Sequence, residues 1–147
     1  MKPSAVPALI KENLFRFGPG DKFVLPIGLL TSDALVLSQL AQTCREKGER
    51  LLVICADPLD AVRLTQELPW FNSNLGVRSL PDWETLPYDV LSPQEDIVSD
   101  RLETLYRMTS GTGQVDVIVA SAVTAAQRMA PGAYIGANTF VFKTGDT

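Results

Sequence analysis

The sequence predicts an α/β domain: a three-layer, mainly parallel sheet with helices on both faces. Three observations predict it. Apolar strand-like runs alternate with stretches of helical spacing from residue 22 to residue 143, the order produced by βαβ crossovers. Two of those runs, Leu51 to Ala56 and Val115 to Ala120, hold almost no polar residue, as strands covered on both faces do. Turn-forming residues, such as Gly48, Asp57-Pro58 and Pro131-Gly132, separate the runs.

Taken in order, residues 1–21 form an approach segment and residues 22–147 the domain proper. In the first, Leu9 to Phe17 suits a short helix and Gly18-Pro19-Gly20-Asp21 a turn. Lys22 to Ile27 reads as a strand. Thr31 to Lys47 places Ala34, Leu35, Leu37, Leu40, Ala41 and Cys44 at helical intervals and ends at Gly48. The strand Leu51 to Ala56 gives way to Asp57-Pro58, a cap followed by proline at the first helical position. That helix runs through Val62, Leu64 and Leu68 towards Trp70-Phe71, and Val77 to Leu80 is the next strand. Gln94 to Met108 forms a helix with Ile97, Val98, Leu102, Leu105 and Tyr106 on one side. After the strand Val115 to Ala120, Ser121 caps a helix to about Met129. Pro131-Gly132 turns the chain into a last strand, Thr139 to Lys143. The sequence stops soon after it, at Gly145-Asp146-Thr147, the pattern of a fragment of a longer protein.

The bulk composition narrows the function. With 147 residues, 46% apolar and 20% charged, the chain suits one globular domain and does not suit disorder. Its apolar runs are too short to cross a bilayer, and no leader precedes a cleavage site, so a cytoplasmic protein is expected. Cys44 and Cys55 match neither a metal site nor a redox pair and read as buried structural thiols. Histidine is absent, which removes the commonest general base and metal ligand. The net charge is −4, without a clustered Lys/Arg run; strong autonomous nucleic-acid binding is not expected.

Between the first strand and helix lies Gly28-Leu29-Leu30-Thr31-Ser32-Asp33-Ala34-Leu35. A phosphate-binding loop has Gly, four residues, then Gly-Lys-Ser/Thr at this place. In register, Gly28 matches the first glycine, but Asp33 replaces the second, Ala34 the lysine and Leu35 the hydroxyl. Asp33 sets a carboxylate against phosphate oxygens, Ala34 supplies no ammonium, and Leu35 cannot ligate Mg²⁺. The loop reads as a degenerate P-loop that binds no nucleotide. The plainer account is a turn glycine followed by a helix cap at Thr31, Ser32 or Asp33. No GxGxxG is present, Asp57 is explained by capping, and no acid follows the strand ending near Ala120.

The loop Leu80-Pro81-Asp82-Trp83-Glu84-Thr85-Leu86-Pro87-Tyr88-Asp89 carries two prolines, two aromatics and three carboxylates, which forbids a regular element. With Ser92-Pro93, Asp96-Ile97, Ser99 and Arg101-Leu102, it resembles the signature of the N-terminal module of bacterial transcription-repair coupling factors, the Mfd proteins. The resemblance extends more loosely over most of the chain, Val117 to Ser121 and the altered phosphate loop included.

That resemblance implies a domain similar to the helicase-like repair protein UvrB (its domain 1a), with the phosphate loop disabled. It also implies no long DNA-clamping hairpin, because few residues separate Tyr88 from the Gln94 helix. In the family this module supports recruitment of UvrA, and so of nucleotide excision repair, to RNA polymerase stalled at DNA damage. The parent is an ATP-dependent DNA translocase, whose ATP and Mg²⁺ sites, DNA contacts and polymerase contacts lie elsewhere in the chain. UvrA is met mainly through the adjoining domain. The expectation is therefore a non-catalytic scaffold without cofactor or metal; the alternative is a nucleotide-binding or hydrolysing α/β enzyme with an atypical phosphate loop.

The signature residues Asp82, Trp83, Glu84, Tyr88, Asp89 and Arg101 define a possible interaction surface. Trp83 and Tyr88 serve either as docking aromatics or as anchors folding the loop onto its own sheet. Arg101 suits a latch to Glu84, Asp89 or Asp96, or a contact to a polymer. The carboxylates Asp82, Glu84 and Asp89 lack the partners that acid–base or metal chemistry needs. No residue is assigned a catalytic role.

Overall fold

A computed structural model describes residues 18–22, 24, 31–85, 90, 92–111 and 113–139. Its elements are α1 (Ser32–Glu46), β1 (Leu51–Cys55), α2 (Pro58–Phe71), β2 (Val77–Leu80), α3 (Glu95–Ser110), β3 (Val117–Ser121), α4 (Ala122–Ala126) and α5 (Gly132–Asn138). Among the described residues the sheet has three strands in the order β1-β3-β2. Both pairings are parallel, with Val53 opposite Val119 and Ser79 opposite the same residue. The α/β class and the parallel sheet expected from the sequence are what the chain adopts.

Local chemistry fixes the ends of the elements. The α1 helix closes through Gly48, at φ +74. The Glu49 N–H donates to the Cys44 carbonyl at 2.8 Å and the Gly48 N–H to that of Arg45 at 2.9 Å, the paired closure that a left-handed glycine permits. Asp57 caps α2, accepting from the Leu59 N–H at 2.8 Å, with Pro58 at the first helical position. Ser121 caps α4 by accepting from the Thr124 N–H at 3.1 Å. Gly111, at φ +67, ends α3.

Strand alternation divides the core in two. Val53, Cys55, Val117 and Val119 point to one face, where Ala34 and Ala41 of α1 and Ala61, Leu64 and Leu68 of α2 cover them. Leu80, Ile118 and Ala120 point to the other, under Leu105 and Met108 of α3. Every residue of β3 is buried, as its central position requires.

Several expectations need correction. Leu51 to Ala56 is covered on one face only: Leu52 and Ile54 are 55% and 54% exposed. Their register partners are Ile118 and Ala120, so they share the α3 face, yet α3 lies over β2 and β3. The helix after Ser121 ends at Ala126 rather than near Met129. Pro131-Gly132 starts α5 instead of only turning the chain. The expected helix at Leu9 to Phe17 and most of the strands Lys22 to Ile27 and Thr139 to Lys143 lie outside the described residues. The turn at Gly18 is present, its N–H donating to Asp21 Oδ2 at 2.7 Å.

Candidate functional site

The carboxyl ends of parallel strands are where open α/β sheets place ligands, and both sequence-derived sites fall there. At the phosphate-loop position, Gly28 lies outside the described residues, while Asp33, Ala34 and Leu35 stand in the first turn of α1. Asp33 accepts a hydrogen bond from the Ala34 N–H at 2.7 Å. Its carboxylate is gripped by Arg63 of α2, whose Nη2 donates to Oδ2 at 2.7 Å and Nη1 to Oδ1 at 3.2 Å. The Arg63 hydrogen bonds hold the Asp33 carboxyl below the usual carboxylate range against the opposing effect of burial. In return, chiefly through Asp33, the guanidinium is pushed further towards permanent charge. Arg63 also pairs with Asp60 at 3.3 Å and Glu67 at 2.9 Å. Ala34 is wholly buried in the cluster that seats α1 on the sheet. The position thus presents a neutralised carboxylate and a methyl group.

The signature loop leaves β2 at Leu80. Asp82 accepts from the Trp83 N–H at 2.9 Å and from Nε2 of Gln127, beyond α4, at 2.6 Å. Glu84 is exposed and takes a left-handed conformation, φ +58. Arg101, on α3, is 98% removed from solvent (2% exposed). Its guanidinium lies 4.3 Å from the centre of the Trp83 ring and donates through Nη1 to the Pro81 carbonyl. One turn along α3, Thr104 donates to the Ser79 carbonyl at 2.9 Å. Burial lowers the Arg101 pKa from its ordinary value, and the charge of Asp82 opposes that shift. Two buried polar atoms here lack a hydrogen-bond partner, Arg101 Nε and Gln127 Oε1.

The geometry therefore brings Asp82, Trp83 and Arg101 together and leaves Glu84 apart. Tyr88 and Asp89 lie outside the described residues. No ion pair joins Arg101 to Glu84 or Asp96 among the described residues; the cation grips a carbonyl and an aromatic ring instead. Sequence reasoning missed Arg63 and Gln127. Arg63 had a local signal, since Asp60 and Glu67 flank it at helical ion-pair spacing, but its contact 30 residues away with Asp33 left none.

The opposite, amino edge holds a shallow polar groove of about 630 Å³. Its polar groups are engaged with one another. Arg45 Nη1 donates to the Asn74 carbonyl at 2.7 Å, and Asp116 accepts from the Gly76 N–H at 2.7 Å. It is a structural seam. Burial raises the pKa of both thiols, Cys44 and Cys55. Among the described residues there is no cluster of three or more potential metal ligands, and no helix is long and apolar enough to cross a membrane.

Fold and site together define a parallel α/β domain with helices on both faces of its sheet. Over 129 residues, 87% of its length, the chain is 35% identical to the transcription-repair-coupling factor of Haemophilus influenzae. It is 35% identical over 119 residues, 81% of its length, to that of Escherichia coli. A shorter stretch of 51 residues is 37% identical to the transcription-repair-coupling factor of Rickettsia conorii. No family model matches. The chain belongs to the transcription-repair-coupling-factor family, and it spans 11% and 10% of the length of the first two relatives.

Proposed function

We propose that this chain is a non-catalytic, UvrB-like scaffold domain of a transcription-repair coupling factor. Its work is to hold a neighbouring portion of the parent protein in place, so that UvrA and nucleotide excision repair reach RNA polymerase stalled at DNA damage. The parent is an ATP-dependent DNA translocase acting in the cytoplasm, with its ATP, Mg²⁺, DNA and polymerase contacts outside these residues. The Asp33–Arg63 pair carries the reading. A phosphate loop needs a cation and free amides facing an anion; here an internal carboxylate stands at the loop's helix and consumes the nearby guanidinium.

Calorimetric titration of the chain with MgATP tests the non-catalytic part, and no binding is expected up to millimolar nucleotide (about −4 kcal/mol of affinity). Micromolar binding would instead favour the alternative, a nucleotide-using enzyme. Pull-down of UvrA by the chain alone, and by the chain with its neighbouring portion, tests the scaffold. Retention only with the longer piece is expected; equal retention by the chain alone assigns the contact to these residues and defeats the scaffold reading.

A further inference from the structure

The α2 helix is apolar on two opposite sides. Towards the sheet it buries Ala61, Leu64 and Leu68. On the side away from it, Leu59, Val62, Gln66 and Trp70 recur at intervals of three, four and four, which aligns them in one row along the helix. At 1.5 Å per residue that row is about 16 Å long. Leu59 and Trp70 are 77% and 80% exposed, and Val62 is 54% exposed. Single surface hydrophobes need no explanation, but three large ones in one row, interrupted only by Gln66, do. An exposed tryptophan at the end of such a row is a residue type enriched among interface anchors.

Charge beside the row says what fits it. Asp60, Arg63 and Glu67 run along one flank, and Arg63 is the only cation of α2. That cation is already committed to Asp33, Asp60 and Glu67, so three carboxylates share one positive charge. Asp57 caps the same end, while the last turn, Leu68 to Phe71, carries no charge. A second copy of the chain brings no free α2 cation to this flank, and an anionic lipid surface meets like charge.

We propose that this row is a docking surface for a basic amphipathic helix of a second protein. Its apolar face sits on Leu59, Val62 and Trp70, and its Lys or Arg residues lie beside Asp60, the exposed carboxylate at the amino-terminal end of α2. Helix-on-helix seating suits a row at helical spacing.

The probe is a synthetic Leu/Lys peptide of about 18 residues with leucines on one face, titrated onto the 147-residue chain. A scrambled peptide of equal composition and a Leu/Glu peptide serve as comparisons. Affinity is measured by calorimetry; binding is expected also to shift Trp70 emission of the native chain to the blue, and to weaken about tenfold in the double variant Leu59→Ser, Trp70→Ser. It is expected to weaken severalfold in Asp60→Asn or at raised salt, and to be about tenfold weaker for both comparison peptides. Because the Leu59, Trp70 and Asp60 side chains are exposed, unchanged circular dichroism separates lost docking from lost fold. Equal affinity for the scrambled peptide, or an unaffected Leu59→Ser, Trp70→Ser variant, overturns the proposal. So does a dimer that the same variant abolishes, or co-sedimentation with phosphatidylcholine vesicles.

Discussion

Arg63 holds Asp33 with two hydrogen bonds, 2.7 Å to Oδ2 and 3.2 Å to Oδ1, joining the first turn of α1 to the middle of α2. A fork of this kind fixes orientation as well as charge. It also joins two helices that share one face of the sheet.

Asp33 lies below the usual carboxylate range in the folded chain because of Arg63, so the pair's contribution depends on pH. A depressed folded pKa favours the native state above the unfolded value of about 4, and the benefit is lost as pH falls through the folded value. Both side chains are about a third exposed, 35% and 38%, which limits the effect to about 1 kcal/mol. Urea melts of the native chain and of Asp33→Asn are expected to differ by a constant small amount near neutral pH. The difference should shrink below about pH 4; a gap that widens on acidification contradicts the assignment.

Gly76 stands at the start of β2 because nothing larger fits. A β-carbon there would lie 2.3 Å from the backbone oxygen of Gln114 and 2.7 Å from its carbonyl carbon. The same residue's N–H donates to the buried Asp116 carboxylate, and its carbonyl accepts from the Asp116 and Val117 N–H groups. Gly76→Ala must push two strands apart and is expected to cost about 1–3 kcal/mol or more. Asp116→Ala, leaving an N–H without its partner, is expected to cost about 1–3 kcal/mol. Thermal melts of the two variants check both figures, and wild-type stability in Gly76→Ala would show that the loop before β3 yields freely.

Arg101 is buried with its guanidinium against Trp83 and one N–H on the Pro81 carbonyl. A lysine keeps the charge but has no plane to stack and no fork to reach past the ring. Arg101→Lys is therefore expected to lose about 1–2 kcal/mol and to shift Trp83 emission to the red as the loop loosens. The second tryptophan complicates the reading, so the measurement belongs in a Trp70→Phe background. If Arg101→Lys matches the parent in both stability and emission, the stack is incidental.

The sequence carried what depends on short-range pattern. Caps at Asp57 and Ser121 and the stop at Gly48 follow from residue types within a few positions of each element, and the parallel pairing from the alternation of strands and helices; the order β1-β3-β2 did not. Coverage of strand faces was not legible in the same way, because the exposure of Leu52 and Ile54 depends on where α3 comes to rest. The α5 helix was hidden by Pro131-Gly132, which breaks a helix when inside it and starts one when just before it. At the site, an alanine where a phosphate loop carries lysine was visible in the spacing. The guanidinium that answers Asp33 was not, since nothing in a linear string ties residue 33 to residue 63.

On the proposed reading of residues 28–35 as a disabled phosphate loop, putting a lysine at position 34 does not restore it. In a working phosphate loop the ammonium reaches into the anion site, but Ala34 is wholly buried against the core that joins α1 to the sheet. Ala34→Lys places a long cation among apolar groups that include Leu64 and Val119. Overpacking and desolvation together are expected to cost about 3 kcal/mol or more. Adding Asp33→Gly removes the internal carboxylate but also costs Arg63 its two-bond partner, leaving only Asp60 and Glu67, so stability should fall further. The double variant is expected to melt well below the parent and to bind no MgATP by calorimetry. If it folds with parental stability and takes up nucleotide, Ala34 and Asp33 were all that separated this cradle from an active one.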